Sequence, residues 1–280
     1  MDNISCSYKV DSIGKVRDVE INRLKGQVEL FWEKEFKHYL EFGLKDRMTI
    51  LEIGSGPGFL TEKLLEALPN CFVYGVEIDA GLVEYSNNYL QQKGYDRFAI
   101  YHGSVTDLGN IVKDCDFAIT RLVLEHLPDP LKAVKEVYHS IKTKGKAVFI
   151  DNDFEMHLMT CPEVNKLKEL YDAYCEARFS EGGNPKLGRH LPILLNKAGF
   201  TNIDFEAICV HSIVKGKESF LKSEGIGIPA KLVEEGYLKS KTLGEVAVGW
   251  RQMMKAEDSG IIRQLYLAVG ERGEDDEEPG

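Results

Sequence analysis

At residues 49–61 the chain reads Thr49-Ile50-Leu51-Glu52-Ile53-Gly54-Ser55-Gly56-Pro57-Gly58-Phe59-Leu60-Thr61. A mostly apolar run enters a cluster of three glycines, and apolar residues then recur at helical spacing. This pattern predicts a buried strand, a tight turn and a helix. Glycine permits positive φ and close approach of a ligand to the backbone, and the start of the helix offers unpaired N–H groups. The turn is therefore a candidate ligand-binding loop.

A second strand is predicted at residues 71–79, and it carries an acid near its end. Glu77 stands 19 positions after Gly58. In nucleotide-binding βαβ units a carboxylate at this offset accepts hydrogen bonds from ribose hydroxyls. The glycine pattern is G-x-G-x-G, and Phe59 replaces the last glycine of the G-x-G-x-x-G that is typical of nicotinamide dinucleotide sites. The first βαβ unit is therefore predicted to hold an adenosine-type cofactor rather than a dinucleotide.

Composition limits the classes of function. The chain has 280 residues, of which 43% are hydrophobic, so it is long enough to bury a full core. Its formal net charge is −10, and it has no block of Lys and Arg, which makes nucleic acid a poor electrostatic match. We see no apolar run long enough to span a bilayer. Six scattered cysteines and seven histidines show no ligand spacing, so we expect reduced thiols, no metal site and a cytoplasmic protein.

Residues 51–58 and 75–79 resemble motifs I and II of the class I S-adenosylmethionine-dependent methyltransferases. The resemblance is to the small-molecule branch with a "methyltransferase type 11" core. Residues 115–130 resemble motif IV of that branch, and residues 188–200 resemble its G-R-x-L-P-x-L-L-x-x-A-G-F segment. The resemblance implies S-adenosyl-L-methionine as the cofactor and S-adenosyl-L-homocysteine as the product.

The same resemblance implies an α/β fold. We expect a doubly wound, seven-stranded, mostly parallel sheet with a reversed C-terminal strand, and helical N-terminal and lid elements. An arm and helix at 1–42 are expected to cover the cofactor, and the core is expected at 43–270. Helical inserts are placed at 156–185 and 216–260. The acidic residues 271–280 are expected to form a disordered tail.

The cofactor-binding residues that the resemblance implies come from five segments. They are Gly54, Ser55, Gly56 and Gly58; Glu77 and Ile78; Ser104 and Val105; Thr120, Arg121 and Leu122; and Gln27 and Tyr8. Gln27 matches an R-L-x-x-Q pattern of related enzymes. Ser104 stands where the family carries an acid that binds the adenine amino group. We therefore expect the Val105 backbone and stacking against Ile78 to hold more of the adenine.

Several residues are candidates for acting on the methyl acceptor, and the sequence does not distinguish between them. The catalytic candidates are His126, Glu125 and Asp151. A hydroxyl acceptor of high pKa needs a base, which His126, His157, His190 or Glu125 could supply. The resemblance favours a scaffold role for His126. An amine acceptor needs only to arrive neutral, and Asp151 and Asp153 could bind its charged form. The acidic cluster 151–155 either faces the acceptor or is a solvated loop. Aromatic residues of the inserts, namely Tyr171, Tyr174, Phe179 and Trp250, suggest an apolar lid over a small organic molecule.

The sequence thus predicts a methyltransferase that acts on N or O of a small molecule by in-line displacement. Two alternatives stay open, a non-catalytic regulatory protein that binds the cofactor and a methyltransferase that acts on a macromolecule. Against a nucleic-acid substrate, strand four lacks the N/D-P-P-Y motif for extruded bases, and the chain is acidic. A nicotinamide oxidoreductase ranks third. The oligomeric state is left open, with a homodimer as one alternative.

Overall fold

The computed structural model describes residues 17–224 and 227–274, so the predicted cofactor residue Tyr8 lies outside the described residues. The strands are β1 (Thr49–Ile53), β2 (Phe72–Glu77), β3 (Phe98–His102), β4 (Cys115–Arg121), β5 (Ile141–Asp151), β6 (Leu158–Cys161), β7 (Phe200–His211) and β8 (Gly260–Arg272). The helices are α1 (Arg17–Glu41), α2 (Phe59–Ala67), α3 (Ala80–Gln92), α4 (Pro130–Ser140), α5 (Leu167–Ser180), α6 (Leu191–Ala198), α7 (Ser212–Lys215), α8 (Lys217–Glu224), α9 (Gly227–Glu234) and α10 (Ser240–Lys255). Short 3₁₀ turns cover Leu124–His126 and Leu187–His190.

All the strands belong to one mixed sheet. β1 to β5 pair in parallel in the order β3-β2-β1-β4-β5, and β5, β6 and β7 each pair antiparallel with β8. The predicted α/β class, the mostly parallel sheet and the reversed C-terminal strand are confirmed. Within the described residues the sheet has 8 strands, one more than the seven that were predicted.

The unpredicted strand is β6, at the start of the expected helical insert 156–185. β8 is 13 residues long, and β5 pairs with it only from Tyr266 to Glu271. The edge of β8 from Gly260 to Arg263 is left without β5, and β6 pairs with it there. Unpaired backbone groups in a buried region are costly, so a short strand at this edge is a physical necessity that local sequence does not reveal.

Strand residues alternate between two cores. Ile50 and Val73 belong to the core that α1, α2 and α3 cover, whereas Leu51 and Ile53 belong to the core that α4 and α6 cover. Strands buried on both faces are typical of a parallel sheet with helices on each side. This arrangement is the doubly wound one that was predicted. It leaves the carboxyl ends of the parallel strands as the edge where ligands bind.

The inserts and the chain ends complete the molecule. α8, α9 and α10 make the second insert helical, as expected, and α5, α8 and α10 contribute buried residues to the core of α1. β8 ends at Arg272, two residues inside the predicted tail, and residues 275–280 lie outside the described residues. The domain boundaries stay a prediction. No described helix is both long enough and apolar enough to cross a bilayer.

Candidate functional site

A cavity of about 1200 Å³ lies at the carboxyl ends of β1, β2 and β4. Its walls are formed by the glycine loop, by α1 and by residues of α5, α8 and α10. Pockets for a single small ligand usually measure 300–1,000 Å³. The cavity is therefore large enough for a cofactor together with a second molecule.

The glycine loop forms the floor of one half of this cavity. Gly54 (φ +67°) donates its N–H to the carbonyl of Val76 at 2.8 Å, and Gly56 (φ +52°) donates to Oε2 of Glu77 at 2.9 Å. A Cβ at Gly56 would meet no heavy atom nearer than 4.0 Å, so a side chain there would occupy open space. A Cβ at Gly54 would lie 2.4 Å from Cγ2 of Val123, which also lines the cavity. The backbone of Gly56 is thus uncovered on this side, whereas Gly54 allows close packing against Val123.

Gly54→Ala is expected to reduce cofactor affinity at least about 10-fold and to destabilise the protein by about 1–3 kcal/mol, because it adds overpacking to left-handed strain. Gly94→Ala is the matched control, since Gly94 also has positive φ (+83°) but has nothing within 4 Å of the added Cβ. We expect that control to lose only about 1 kcal/mol and no affinity. Calorimetric titration and urea unfolding measure both effects. Equal affinity loss in the two variants would contradict this account of Gly54.

Glu77 is oriented by two backbone N–H groups. Its Oε2 accepts from Gly56 and its Oε1 accepts from Asp79, both at 2.9 Å. Burial raises the pKa of Glu77, and the backbone hydrogen bonds oppose that rise. Each carboxylate oxygen can accept a further hydrogen bond. The pair of oxygens therefore suits two neighbouring hydroxyls of a ribose.

Most of the predicted cofactor residues do meet at this cavity. Those that line it are Gly54, Ser55, Gly56, Glu77, Ile78, Ser104, Val105, Arg121, Leu122 and Gln27. Gly58 is not among the lining residues, and a Cβ at Gly58 would lie 3.2–3.3 Å from Ser86 and Leu90 of α3. Thr120 is fully buried and does not line it either. Contact of these two residues with the cofactor stays a prediction.

Three further observations bear on the fit of an adenosine-type cofactor. The buried Oγ of Ser55 lines the cavity and has no hydrogen-bond partner among the described residues. Ile78 is 40% exposed although it is apolar, which leaves a surface for stacking a base. The hydroxyl of Ser104 forms a hydrogen bond with the Thr106 hydroxyl of the same turn at 2.9 Å. A hydrogen bond from Ser104 to the adenine amino group would therefore be made beside this local one. The residues present fit the expected cofactor.

Arg121 lines the cavity, but its guanidinium is held by α1. Nε lies 2.9 and 3.0 Å from the two oxygens of Glu35, and Nη2 donates to the carbonyl of Gln27 at 3.0 Å. Glu35 is fully buried. We interpret Arg121 as the residue that fixes α1, and with it Gln27, over the cavity.

The other half of the cavity contains Glu125 and His126, two of the predicted catalytic candidates. Oε1 of Glu125 accepts from Nδ2 of Asn152 at 2.8 Å, and burial raises the pKa of Glu125 to about 7. Burial first, and then the cations Arg178 and Arg23, lower the pKa of His126 to about 3. His126 therefore remains neutral and is a poor acceptor of a proton.

Asp151, the third candidate, does not line the cavity. It is fully buried, and its oxygens accept from the backbone N–H groups of Asn152 and Glu125 at 3.1 and 3.2 Å. Burial raises its pKa well above the usual range of an aspartate. Its position supports the loop that carries Glu125, and the structure contradicts contact between its carboxylate and an acceptor.

The rest of the acidic cluster also turns away from the acceptor. Asp153 is buried and ion-paired with Arg189, and Glu155 pairs with Arg189 at 2.6 Å and with Lys186. His190 is exposed and lies outside the cavity lining. Of the predicted lid aromatics, Tyr171, Tyr174 and Trp250 line the cavity, whereas Phe179 is 50% exposed and does not.

A buried polar chain behind the acceptor half was not predicted. Nδ1 of His157 lies 3.1 Å from Oδ1 of Asn152, and Nε2 lies 3.2 Å from Oε2 of Glu224. Arg263 is 2% exposed and lies 2.9 Å from Oε1 of Glu224. The one sequence signal was an arginine within the otherwise apolar start of β8, since a buried charge needs a partner.

Comparisons with known proteins agree with this geometry. A protein-family model described as "Methyltransferase domain" matches residues 44–199. The ubiquinone biosynthesis O-methyltransferase of Coxiella burnetii is 29% identical over 116 residues, which are 40% of this chain and 47% of that protein. The chain thus spans about half the length of this curated relative.

Among solved structures, phosphoethanolamine N-methyltransferase 2 of Haemonchus contortus, in complex with S-adenosyl-L-methionine, superposes with a TM-score of 0.59. The sequences are 14% identical, and the match covers 95% of this chain and 60% of that one. At such an identity the likeness shows a shared fold alone.

Proposed function

Since the chain belongs to the class I S-adenosylmethionine-dependent methyltransferases, we propose that it methylates N or O of a small organic molecule. The observation that carries this proposal is the continuity of the cavity. The half with the glycine loop and Glu77 joins directly to a half lined by Tyr171, Tyr174 and Trp250. A cofactor and an aromatic-lined acceptor site therefore share one space.

The chain's own residues supply binding and alignment. The cofactor brings a methyl group on a positively charged sulfur, which leaves as a neutral thioether. Glu77 would hold the ribose, and the backbone of Gly54 and Gly56 would line the cofactor site. Holding an acceptor in line with the methyl group supplies much of the acceleration, since well-oriented reactions reach effective molarities of about 10⁵–10⁸ M.

The acceptor half favours a small, partly apolar molecule. Phe154 stacks on His157 with a centroid distance of 4.3 Å and lies at the same distance from Tyr174. Burial raises the pKa of Tyr174, so its hydroxyl stays protonated. Aromatic walls with a few buried polar groups are typical of small-molecule pockets. The curated relative is an O-methyltransferase and the solved structure is an N-methyltransferase, so both acceptor atoms belong to the proposal.

Methyl-labelled S-adenosylmethionine tests the proposal, with a panel of phenols, hydroxy acids and amines and detection of labelled products. We expect transfer to at least one member. Trp250→Ala, which shortens a wall of the acceptor half, is expected to raise the KM for that acceptor about 10-fold, because burying an aromatic ring is worth about 1.5–3 kcal/mol. Cofactor affinity should stay unchanged.

Trp32→Ala is the matched control for Trp250→Ala. Trp32 packs against Phe36 on α1 and does not line the cavity, so its loss should leave the KM for the acceptor unchanged. Tight cofactor binding without transfer to any acceptor in the panel would favour the non-catalytic binding protein instead.

A further inference from the structure

Glu125 has one carboxylate oxygen that the described residues leave without a partner. The residue lies in the 3₁₀ turn after β4, lines the cavity and is 3% exposed. Oε1 accepts from Asn152, whereas the buried Oε2 has no hydrogen-bond partner among the described residues. Buried polar atoms nearly always have a partner. Oε2 is therefore open to a group from outside the described residues.

The charged surroundings of Glu125 come from four other elements. The ionisable groups that act on it or respond to it are Asp151 on β5, Arg178 and Tyr174 on α5, Arg263 on β8 and Arg23 on α1, together with the adjacent His126. Burial opposes the ionised form of Glu125, and the guanidinium groups favour it. Burial thus raises the pKa of the Glu125 carboxyl to about 7, and its titration is linked to that of the nearby Asp151 carboxyl.

We propose that Glu125 is the general base of the reaction and that the positive charge of the bound cofactor switches its carboxyl to the ionised form. This proposal rests on the proposed function. It implies an acceptor whose reacting atom carries a proton, such as an amine N–H or a hydroxyl O–H.

The proposed transfer needs no proton acceptor other than Glu125. The acceptor's heteroatom forms a bond to the methyl carbon, the carbon–sulfur bond breaks, and its electron pair stays on sulfur. The proton of the heteroatom passes to Oε2 of Glu125. Because the pKa of a useful base lies near the working pH, Glu125 suits the role better than His126 does.

Asn152 can serve both states of this base. A terminal amide has a donor side and an acceptor side. With Nδ2 toward Oε1, as the structure has it, Asn152 stabilises the carboxylate. After an amide flip its oxygen could accept a hydrogen bond from the protonated carboxyl, and Nδ2 could donate to the neutral His157 ring. The polar chain behind Glu125 therefore tolerates a change of protonation at this position.

Proton release on ligand binding tests the switch without any acceptor. S-adenosylmethionine carries the sulfonium charge and S-adenosylhomocysteine does not. A nearby cation favours the ionised form of a carboxyl. Calorimetric titration of both ligands at pH 7, in two buffers of different ionisation enthalpy, gives the protons released by each. We expect S-adenosylmethionine to release more, by up to roughly half a proton for a carboxyl that is half-protonated at that pH.

Two variants and a pH series locate the source of the protons. Glu125→Gln should abolish the difference between the ligands. It should weaken S-adenosylmethionine more than S-adenosylhomocysteine, because a cation that lowers the pKa of a carboxyl is in turn bound more tightly by the carboxylate. Glu52→Gln should retain it, although Glu52 also lines the cavity and burial raises its pKa to about 8. In the unmodified protein the difference should disappear above about pH 9, where a carboxyl of pKa near 7 is fully ionised without the cofactor.

The outcomes separate the two proposals. Equal proton release by both ligands, or a difference that survives Glu125→Gln, overturns the assignment of Glu125 while cofactor binding stands. Failure of both ligands to bind overturns the proposed function itself. If Glu125→Gln fails to fold, the pH series on the unmodified protein decides, since a maximum near pH 8 would assign the protons to Glu52.

With an identified acceptor, kcat/KM should fall as the pH drops through the pKa of Glu125, because only the carboxylate accepts a proton. Glu125→Gln should lower it about 10²–10⁴-fold and remove that dependence. A purely structural role would lower the rate and leave the shape of the profile unchanged.

Discussion

Glu77→Ala is expected to weaken S-adenosylmethionine binding at least about 100-fold. The variant removes both acceptors for the ribose hydroxyls, and hydrogen bonds to a charged group contribute about 1.5–3 kcal/mol each. Two such bonds correspond to about 10²–10⁴ in affinity, at 1.4 kcal/mol per tenfold. The variant also removes the group that holds the N–H of Gly56 at 2.9 Å, so the glycine loop loses its orientation.

Calorimetric titration of S-adenosylmethionine and S-adenosylhomocysteine measures this effect, and both ligands should lose affinity equally because both carry the ribose. Glu77→Gln keeps one acceptor oxygen and should fall between the two extremes. Glu84→Ala removes an exposed acid on the neighbouring α3 and should change nothing. Unchanged binding by Glu77→Ala would mean that Glu77 does not hold the ribose.

The glycine loop and Glu77 could be predicted because their signal is local. A strand, a turn that needs positive φ and an acid at a fixed distance are properties of about 30 consecutive residues. The same signal does not distinguish positions within a segment: a Cβ at Gly58 would lie close to Ser86 and Leu90 of α3, and Thr120 is buried. Position along a turn or strand does not say which face a residue takes once helices pack against it. In both cases packing partners from other elements decide the outcome.

The residues that surround Glu125 in the acceptor half lie far apart in the sequence. Glu125 was one candidate among several, and the residues that distinguish it come from distant parts of the chain. Asn152 follows β5, Glu224 ends α8, and Arg263 lies in β8. By sequence, Asp153 is as well suited as Glu125 to contact an acceptor, but in the structure its carboxylate pairs with Arg189. Long-range contacts of this kind are fixed by tertiary packing, which no local pattern encodes.

The ion pair between Arg121 and Glu35 makes the second large prediction. Glu35→Ala is expected to lower the free energy of unfolding by about 3–5 kcal/mol, because it leaves a buried guanidinium without its counter-charge. The side chains of Arg121 and Glu35 are 8% and 0% exposed, and Glu35 also accepts from the Tyr39 hydroxyl at 3.4 Å. Urea unfolding measures the loss. Glu41→Ala removes an exposed acid on the same helix and should stay within about 0.5 kcal/mol.

A double variant separates the worth of the pair from the cost of breaking it. Glu35→Leu with Arg121→Met replaces both charges by apolar groups of similar size, and such replacements are often neutral or stabilising. We therefore expect the double variant to recover most of the lost stability. Because Arg121 also holds the carbonyl of Gln27 on α1, the double variant should still bind the cofactor more weakly than the unmodified protein. Full recovery of both stability and affinity would show that α1 stays in place over the cavity without this ion pair.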